Sequence, residues 1–210
     1  LIERKAIDLQ KVKYVVLDEA DEMLNMGFRD DIDFVLKNTI NRESTWLFSA
    51  TMPPEVRAIS RNYMENPKEV TVGKKNSGNV NIDHQFFVVP ASQRYEALKR
   101  LIDFNPGMYG IIFTRTKADA QEVSERLAKS GYEIEALHGD LSQQQRDKVM
   151  GRFRSKNLQL LIATDVAARG IDVDGITHVI NFELPDDMEV YTHRSGRTGR
   201  AGKTGICLSI

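Results

Sequence analysis

The sequence has little cysteine: Cys207 is the only one, so no intrachain disulfide can staple the chain. That usage fits a reducing compartment, and a cytoplasmic location is the expectation. No apolar run approaches the roughly 20 residues of a membrane-spanning helix, and no charged-then-apolar leader opens the chain, so no membrane partner is expected. An excess of either charge is also missing. Lys and Arg number 29 and Asp and Glu 30, a formal net charge of -1. No global field draws such a chain to nucleic acid, and any binding must come from local patches. His84, His138 and His178 show no ligand spacing, which argues against a histidine metal site. There is no low-complexity tract and no short repeat. Position 1 is leucine, not methionine, and the expectation is a segment of a longer protein.

What is present reads as alternating strands and helices. The 210 residues suffice for one large domain or two small ones. In the first part, "KYVVLDEA" (13–20) and "TWLFSAT" (45–51) are short apolar runs bounded by polar clusters, the pattern of buried strands. Trp46 is expected in the core, as is Cys207 further on. Between the two strands, 28–38 places Ile32, Val35 and Leu36 on one helical face. A helix opened by prolines at 53–64 does the same with Val56, Ile59 and Tyr63. The stretch "GKKNSGNVN" (73–81) has the composition of a flexible connection. We therefore divide the chain into a first domain at 1–75, a linker at 76–81 and a second domain at 82–210.

The second domain alternates more regularly. Strands are expected at 84–90, 109–114, 132–139, 158–165, 177–184 and 204–210. Helices are expected at 93–104, at 117–131 and at 142–157, the last with Ser142 as N-cap. This order argues for an α/β fold with a parallel sheet and helices on both faces.

One strand ends in acids. Asp18, Glu19 and Asp21 close "VVLDEAD", and in open α/β sheets ligands bind outside the carboxyl ends of strands. Acids there can hold a hard cation through water, and a second acid can position a water for attack on phosphate. The alternative is that they cap the following helix, where the helix dipole favours acids. At the other end, "YTHRSGRTGR" (191–200) would set His193, Arg197 and Arg200 on one helical face at i, i+4 and i+7. Arginine forks suit phosphate oxygens. A solvated basic helix is the alternative, although Gly196 and Gly199 would weaken a purely structural one.

Six motifs occur in order: "DEAD" (18–21), "SAT" (49–51), "IIFTRTK" (111–117), "HGDLSQQQR" (138–146), "ATDVAARGID" (163–172) and "HRSGRTGRAG" (193–202). Together they resemble the DEAD-box RNA helicases over essentially the whole chain, with phrasing similar to that of bacterial members. The resemblance implies two RecA-like parallel-sheet domains, the first truncated at its N-terminus, that use ATP and Mg²⁺ to act on RNA. It implies that Asp18 holds Mg²⁺ through water and that Glu19 orients the attacking water. It assigns Arg197 and Arg200 to the terminal phosphate and Asp172 to the ATP ribose. Asp21, Ser49, Thr51 and His193 would couple the two domains. Arg115, Gly139, Asp140, Thr164 and Gly170 would face RNA, supported by Gln143 and Arg146, while Asp165 orients its loop. Phe113 would pack under the arginine element, a position that an ordinary core phenylalanine also fits.

The family's partners would be single-stranded or partly duplex RNA and RNP or ribosome-assembly proteins, with the chain itself a monomer. An ATPase of this kind needs a phosphate loop of the form G-x-x-x-x-G-K-[ST]. "AGKTG" (201–205) is out of register for it, since position 197 is arginine. The chain alone is therefore expected to lack ATPase activity. Two other classes remain: a non-enzymatic RNA-binding module, for which Glu19, Arg197 and Arg200 would have no use, and a DNA helicase, which strand competition would separate. A further expectation is that the first domain, with two core strands, folds poorly by itself.

Overall fold

The computed structural model describes residues 2, 4, 6–71 and 80–210. It divides into two compact units, Leu1–Val72 and Gly73–Ile210. The linker placed at 76–81 lies outside the described residues except for Val80 and Asn81.

In the first unit, β1 (Tyr14–Leu17) and β2 (Ser44–Leu47) pair in parallel, with Val16 opposite Trp46. Among the described residues three α-helices accompany them: α1 (Ala20–Asn25), α2 (Arg29–Asn38) and α3 (Pro54–Tyr63). Period-2 alternation in β1 sends Val15 and Leu17 inward, where they meet Ile32 and Leu36 of α2 and Val56 and Ile59 of α3. Each such buried aliphatic side chain contributes roughly 1.5–3 kcal/mol. The same alternation corrects the expectation for Trp46. It sits on the opposite face beside Tyr14 and Val16 and is 54 % exposed. The apolar run around it signalled a strand, but only one face of this two-stranded sheet is covered by helices. Its indole Nε1 donates to Ser44 Oγ at 3.1 Å instead.

Among its described residues the second unit has a six-stranded, all-parallel sheet. Its strands are β3 (Ile82–Phe86), β4 (Gly110–Phe113), β5 (Ile134–Leu137), β6 (Leu160–Ala163), β7 (His178–Asn181) and β8 (Gly205–Ser209). They lie in the order β3-β8-β7-β4-β6-β5. The helices are α4 (Arg94–Phe104), α5 (Lys117–Lys129), α6 (Gln143–Arg154), α7 (Asp165–Ala168) and α8 (Met188–Ser195). Strand β4, central and buried throughout, shows why both faces are covered. Ile111 and Phe113 join Val149 and Phe153 of α6 in one cluster. Ile112 joins Leu98 and Ile102 of α4 and Leu127 of α5 in another. Helix α6 starts at a capping box: Ser142 Oγ accepts from Gln145 N, and Gln145 Oε1 accepts from Ser142 N. Cys207 is fully buried, as its strand context suggested.

Both units thus have the parallel α/β character read from the sequence. In each unit the C-terminal ends of its parallel strands fall on one edge, which carries the acids of the first unit and Arg115, Gly139, Asp140 and Thr164 of the second.

Candidate functional site

The first unit carries the acids. Asp18 follows β1 directly, exposed, and its Oδ1 accepts from Glu19 N at 3.0 Å. Glu19 occupies the N-cap position of α1 in the left-handed region, φ 51° and ψ 46°. Non-glycine residues rarely adopt that conformation, which costs roughly 1–3 kcal/mol and clusters at functional sites. Its side chain makes no capping hydrogen bond, so helix capping does not account for this acid. The turn instead leaves its carboxylate exposed beyond the strand end.

Asp21 behaves differently. It is 1 % exposed, and its Oδ2 accepts from Thr51 N at 2.7 Å and from Thr51 Oγ1 at 2.8 Å. Its Oδ1 accepts from Glu22 N, and its own N donates to Ser49 Oγ at 3.2 Å. Burial pushes the Asp21 carboxyl up, but the hydrogen bonds from Thr51, Ser49 and Glu22 together outweigh it and hold the group below the usual carboxylate range. Both carboxylate oxygens are occupied. Asp21 therefore clamps the 49–51 loop to α1 and is not poised to ligate an ion, whereas Asp18 and Glu19 face outward.

Among the described residues no group of three or more His, Cys, Asp or Glu side chains could hold a metal ion. A lone outward carboxylate such as Asp18 suits Mg²⁺, which keeps several waters and is bound through one or two carboxylates plus substrate phosphates.

The second unit holds the remaining candidates. Phe113, Ala163 and Leu137 are in register across β4, β6 and β5. The residues just beyond them therefore gather on one edge: Arg115 after β4, Gly139 and Asp140 after β5, and Thr164 after β6. Arg115 donates to Leu184 O and pairs with Asp186 at 3.1 Å. Asp140 pairs with Lys117 at 2.8 Å, and the hydrogen bond from that ammonium holds its carboxyl low. Gly170, at φ +68°, turns the chain after α7, a conformation that favours glycine. Arg146 Nη2 donates to Ala167 O at 3.3 Å, tying α6 to the same loop.

Asp172, Arg197 and Arg200 also come together. Arg200 Nη1 reaches Asp172 Oδ1 at 3.3 Å, and Arg197 Nη1 donates to Ile171 O at 3.2 Å. The shared helical face expected for His193, Arg197 and Arg200 does not form, because α8 ends at Ser195. Beyond it the chain tightens into i to i+3 bonds, Arg197 N to Arg194 O and Thr198 N to Ser195 O, both 3.1 Å. Gly199 then turns at φ +67°. His193 lies in the last turn of α8, and the two arginines lie on the loop that follows. The "AGKTG" stretch forms the turn leading into β8, where no phosphate loop precedes a helix.

One residue escaped the sequence reading. Arg194 is 3 % exposed and sits at the centre of a polar network. Its Nε and Nη2 donate to the two oxygens of Asp165 at 2.6 and 2.8 Å. Its Nη1 donates to Asn181 Oδ1 at 3.0 Å and to Glu183 O at 2.8 Å. Its guanidinium lies over the Phe113 ring, 5.1 Å from the centroid. The available signal was Asn181, a polar residue closing an apolar strand.

Comparison with known proteins identifies the family. The model for the DEAD/DEAH box helicase family matches residues 1–59, and that for the helicase conserved C-terminal domain matches residues 93–202. The DEAD-box ATP-dependent RNA helicase CshA of Bacillus cereus is 46 % identical over 207 residues, covering 99 % of this chain and 39 % of that protein. A DEAD box protein from the hyperthermophile Methanococcus jannaschii is 44 % identical with a TM-score of 0.60, covering 100 % of this chain and 56 % of that one. A Saccharomyces cerevisiae protein bound to RNA and ADP BeF3 is 32 % identical with a TM-score of 0.87, again covering 100 % and 56 %. The chain belongs to the DEAD-box RNA helicase family. It spans well under half the length of the curated CshA relatives it matches. Among the described residues, no helix is long and apolar enough to cross a membrane.

Proposed function

We propose that this chain supplies the acid cluster and the arginine-bearing domain of an ATP-dependent RNA helicase, which couples ATP binding and hydrolysis to RNA binding, local duplex unwinding and RNP remodelling. The observation that carries the reading is a division of labour within the second unit. Arg115, Gly139, Asp140 and Thr164 gather at the strand ends, while Asp172, Arg197 and Arg200 form a separate group. The first group, with Gly170, suits contact with RNA phosphate and ribose, which is independent of sequence. The second suits a nucleotide, with Asp172 for the ribose and two guanidinium groups for the phosphates.

Asp18 would hold Mg²⁺ through water, and Glu19 would orient the attacking water. When bound, the metal would neutralise charge on the phosphate oxygens. Arg197 and Arg200 would add positive charge at the transferring phosphoryl group, the arginine-finger role. Asp21, Ser49, Thr51 and His193 would carry the coupling between the nucleotide and RNA functions. The relatives' names and the RNA and ADP BeF3 held by the S. cerevisiae protein support this reading. The chain contains no Gly-Lys-Thr loop in register, so it should not turn over ATP by itself. RNP or ribosome-assembly proteins in the cytoplasm are the partners that fit, with the protein acting as a monomer.

The test is Glu19→Gln in a protein carrying the additional length of the relatives. ATP binding should persist while RNA-stimulated turnover falls by at least about 100-fold, within the range for loss of a general base. Turnover at the unaltered rate would remove Glu19 from the catalytic role and with it the helicase mechanism proposed.

A further inference from the structure

Phe113 ends β4 in register with Asn181, the last residue of β7, so the loop from Phe182 to Asp187 lies at the same edge as Arg115. That loop is acidic, and two of its three carboxylates have structural duties. Glu183 accepts from Arg115 N at 3.3 Å and from Arg94 Nη1 at 3.2 Å. Asp187 is the N-cap of α8, and its Oδ1 accepts from Glu189 N at 2.8 Å. Asp186 has no such duty. Its side chain is 89 % exposed, and among the described residues its carboxylate meets Arg115 alone, with Nη2 donating to Oδ1 at 3.1 Å. An ion pair this exposed adds little to stability.

The pair matters for what it occupies. Arginine grips a phosphate through two parallel N–H bonds, from Nε and Nη2 on one face or from Nη1 and Nη2 on the other. Both faces need Nη2. Its two hydrogens are committed, one to Leu184 O at 3.3 Å and one to Asp186. We propose that Asp186 sets the strength of the RNA grip: its carboxylate stands in for an RNA phosphate on Arg115, and a strand takes that guanidinium by displacing it. A tethered carboxylate competes at high effective concentration. A lone anion therefore loses to it, whereas a phosphate of a strand already anchored at Thr164 and Gly170 competes on equal terms. The inference rests on the helicase reading, which places Arg115 against RNA, and deepens it.

The experiment measures the affinity of a single-stranded oligouridylate for the longer protein, with a non-hydrolysable ATP analogue present, at about 50 mM and about 300 mM salt. It uses the unaltered protein, Asp186→Asn, Arg115→Ala and the double variant, each followed by thermal melting. Asp186→Asn should bind the RNA about two- to fivefold more tightly at the lower salt, the range of an exposed ion pair. The gain should shrink at the higher salt, where the pair is screened. Arg115→Ala should weaken binding, and in its background Asp186→Asn should change affinity by less than about 1.5-fold, because the acid acts through that guanidinium. An equal gain in both backgrounds would overturn the proposal, making Asp186 a diffuse repulsive charge. Unchanged or weaker binding by Asp186→Asn would overturn it too, since the pair would then hold Arg115 ready and not compete for it. Unchanged binding by Arg115→Ala would remove the contact on which the competition depends. No RNA binding by the unaltered protein would instead refute the helicase reading itself.

Discussion

Replacing Asp21 with asparagine probes the clamp between α1 and the 49–51 loop. The carboxylate accepts two hydrogen bonds from Thr51 and one from Glu22. Asparagine offers one acceptor oxygen and a donor amide, so at least one buried N–H or O–H must face another donor. Leaving one such group unsatisfied costs roughly 1–3 kcal/mol, and the surviving bonds lose their charge assistance. A total of about 2–3 kcal/mol follows, or roughly 30- to 150-fold in the local opening equilibrium. Hydrogen exchange at the Thr51 amide reads that equilibrium directly. The exchange rate should rise by that factor in the variant at neutral pH. The sign of the pH effect is fixed by the same geometry. A carboxyl held low in the folded state contributes its full stabilisation above its unfolded value, about 3.9. That contribution is lost as pH falls through the folded value. Thr51 protection should therefore decline on acidification below about pH 4 in the unaltered chain and respond far less in Asp21→Asn. An exchange rate at Thr51 within about threefold of the unaltered chain would refute the clamp.

Two further substitutions test backbone geometry. Glu19→Gly should raise the stability of the first unit by roughly 1 kcal/mol, because glycine adopts the left-handed conformation without steric cost. A fall in the urea midpoint would show that the Glu19 side chain contributes more than its backbone costs. Gly205→Ala should destabilise the second unit by about 1–3 kcal/mol or more. A Cβ there would lie 2.6 Å from Gly199 N and from Thr198 Cγ2, in a segment fixed by the 2.6 Å bond from Thr198 Oγ1 to Ile176 O. An unchanged melting temperature would show that this turn yields easily.

The parallel α/β character was legible because its signal is local. Short apolar runs such as "GIIF" and "LLIA" alternate with helices whose inward residues recur at helical spacing, as Ile32 and Leu36 or Val56 and Ile59 do. The acids beyond β1 were legible by their position after such a run. The fate of single side chains was not, because it depends on partners distant in sequence. Arg194 and Arg197 look alike in "HRSGR". Only Asp165, Asn181 and Glu183, brought together by the sheet, bury the first of them. The end of α8 at Ser195 was obscured because periodicity continues on paper past Gly196, whereas the chain turns there in space. Trp46 was misplaced for a related reason. Alternation names two faces of a strand, but the sequence does not say whether helices cover both.

That exposed tryptophan has a spectroscopic consequence. Trp46 is the only tryptophan in the chain, and it lies in the first unit on a face lined by Tyr14 and Val16. Indole fluorescence from the whole chain is therefore a private reporter of one sheet face. Its emission belongs to a water-exposed ring, and any segment or partner that covers Tyr14, Val16 and Trp46 will announce itself as a shift to the blue, while every event confined to the second unit stays dark.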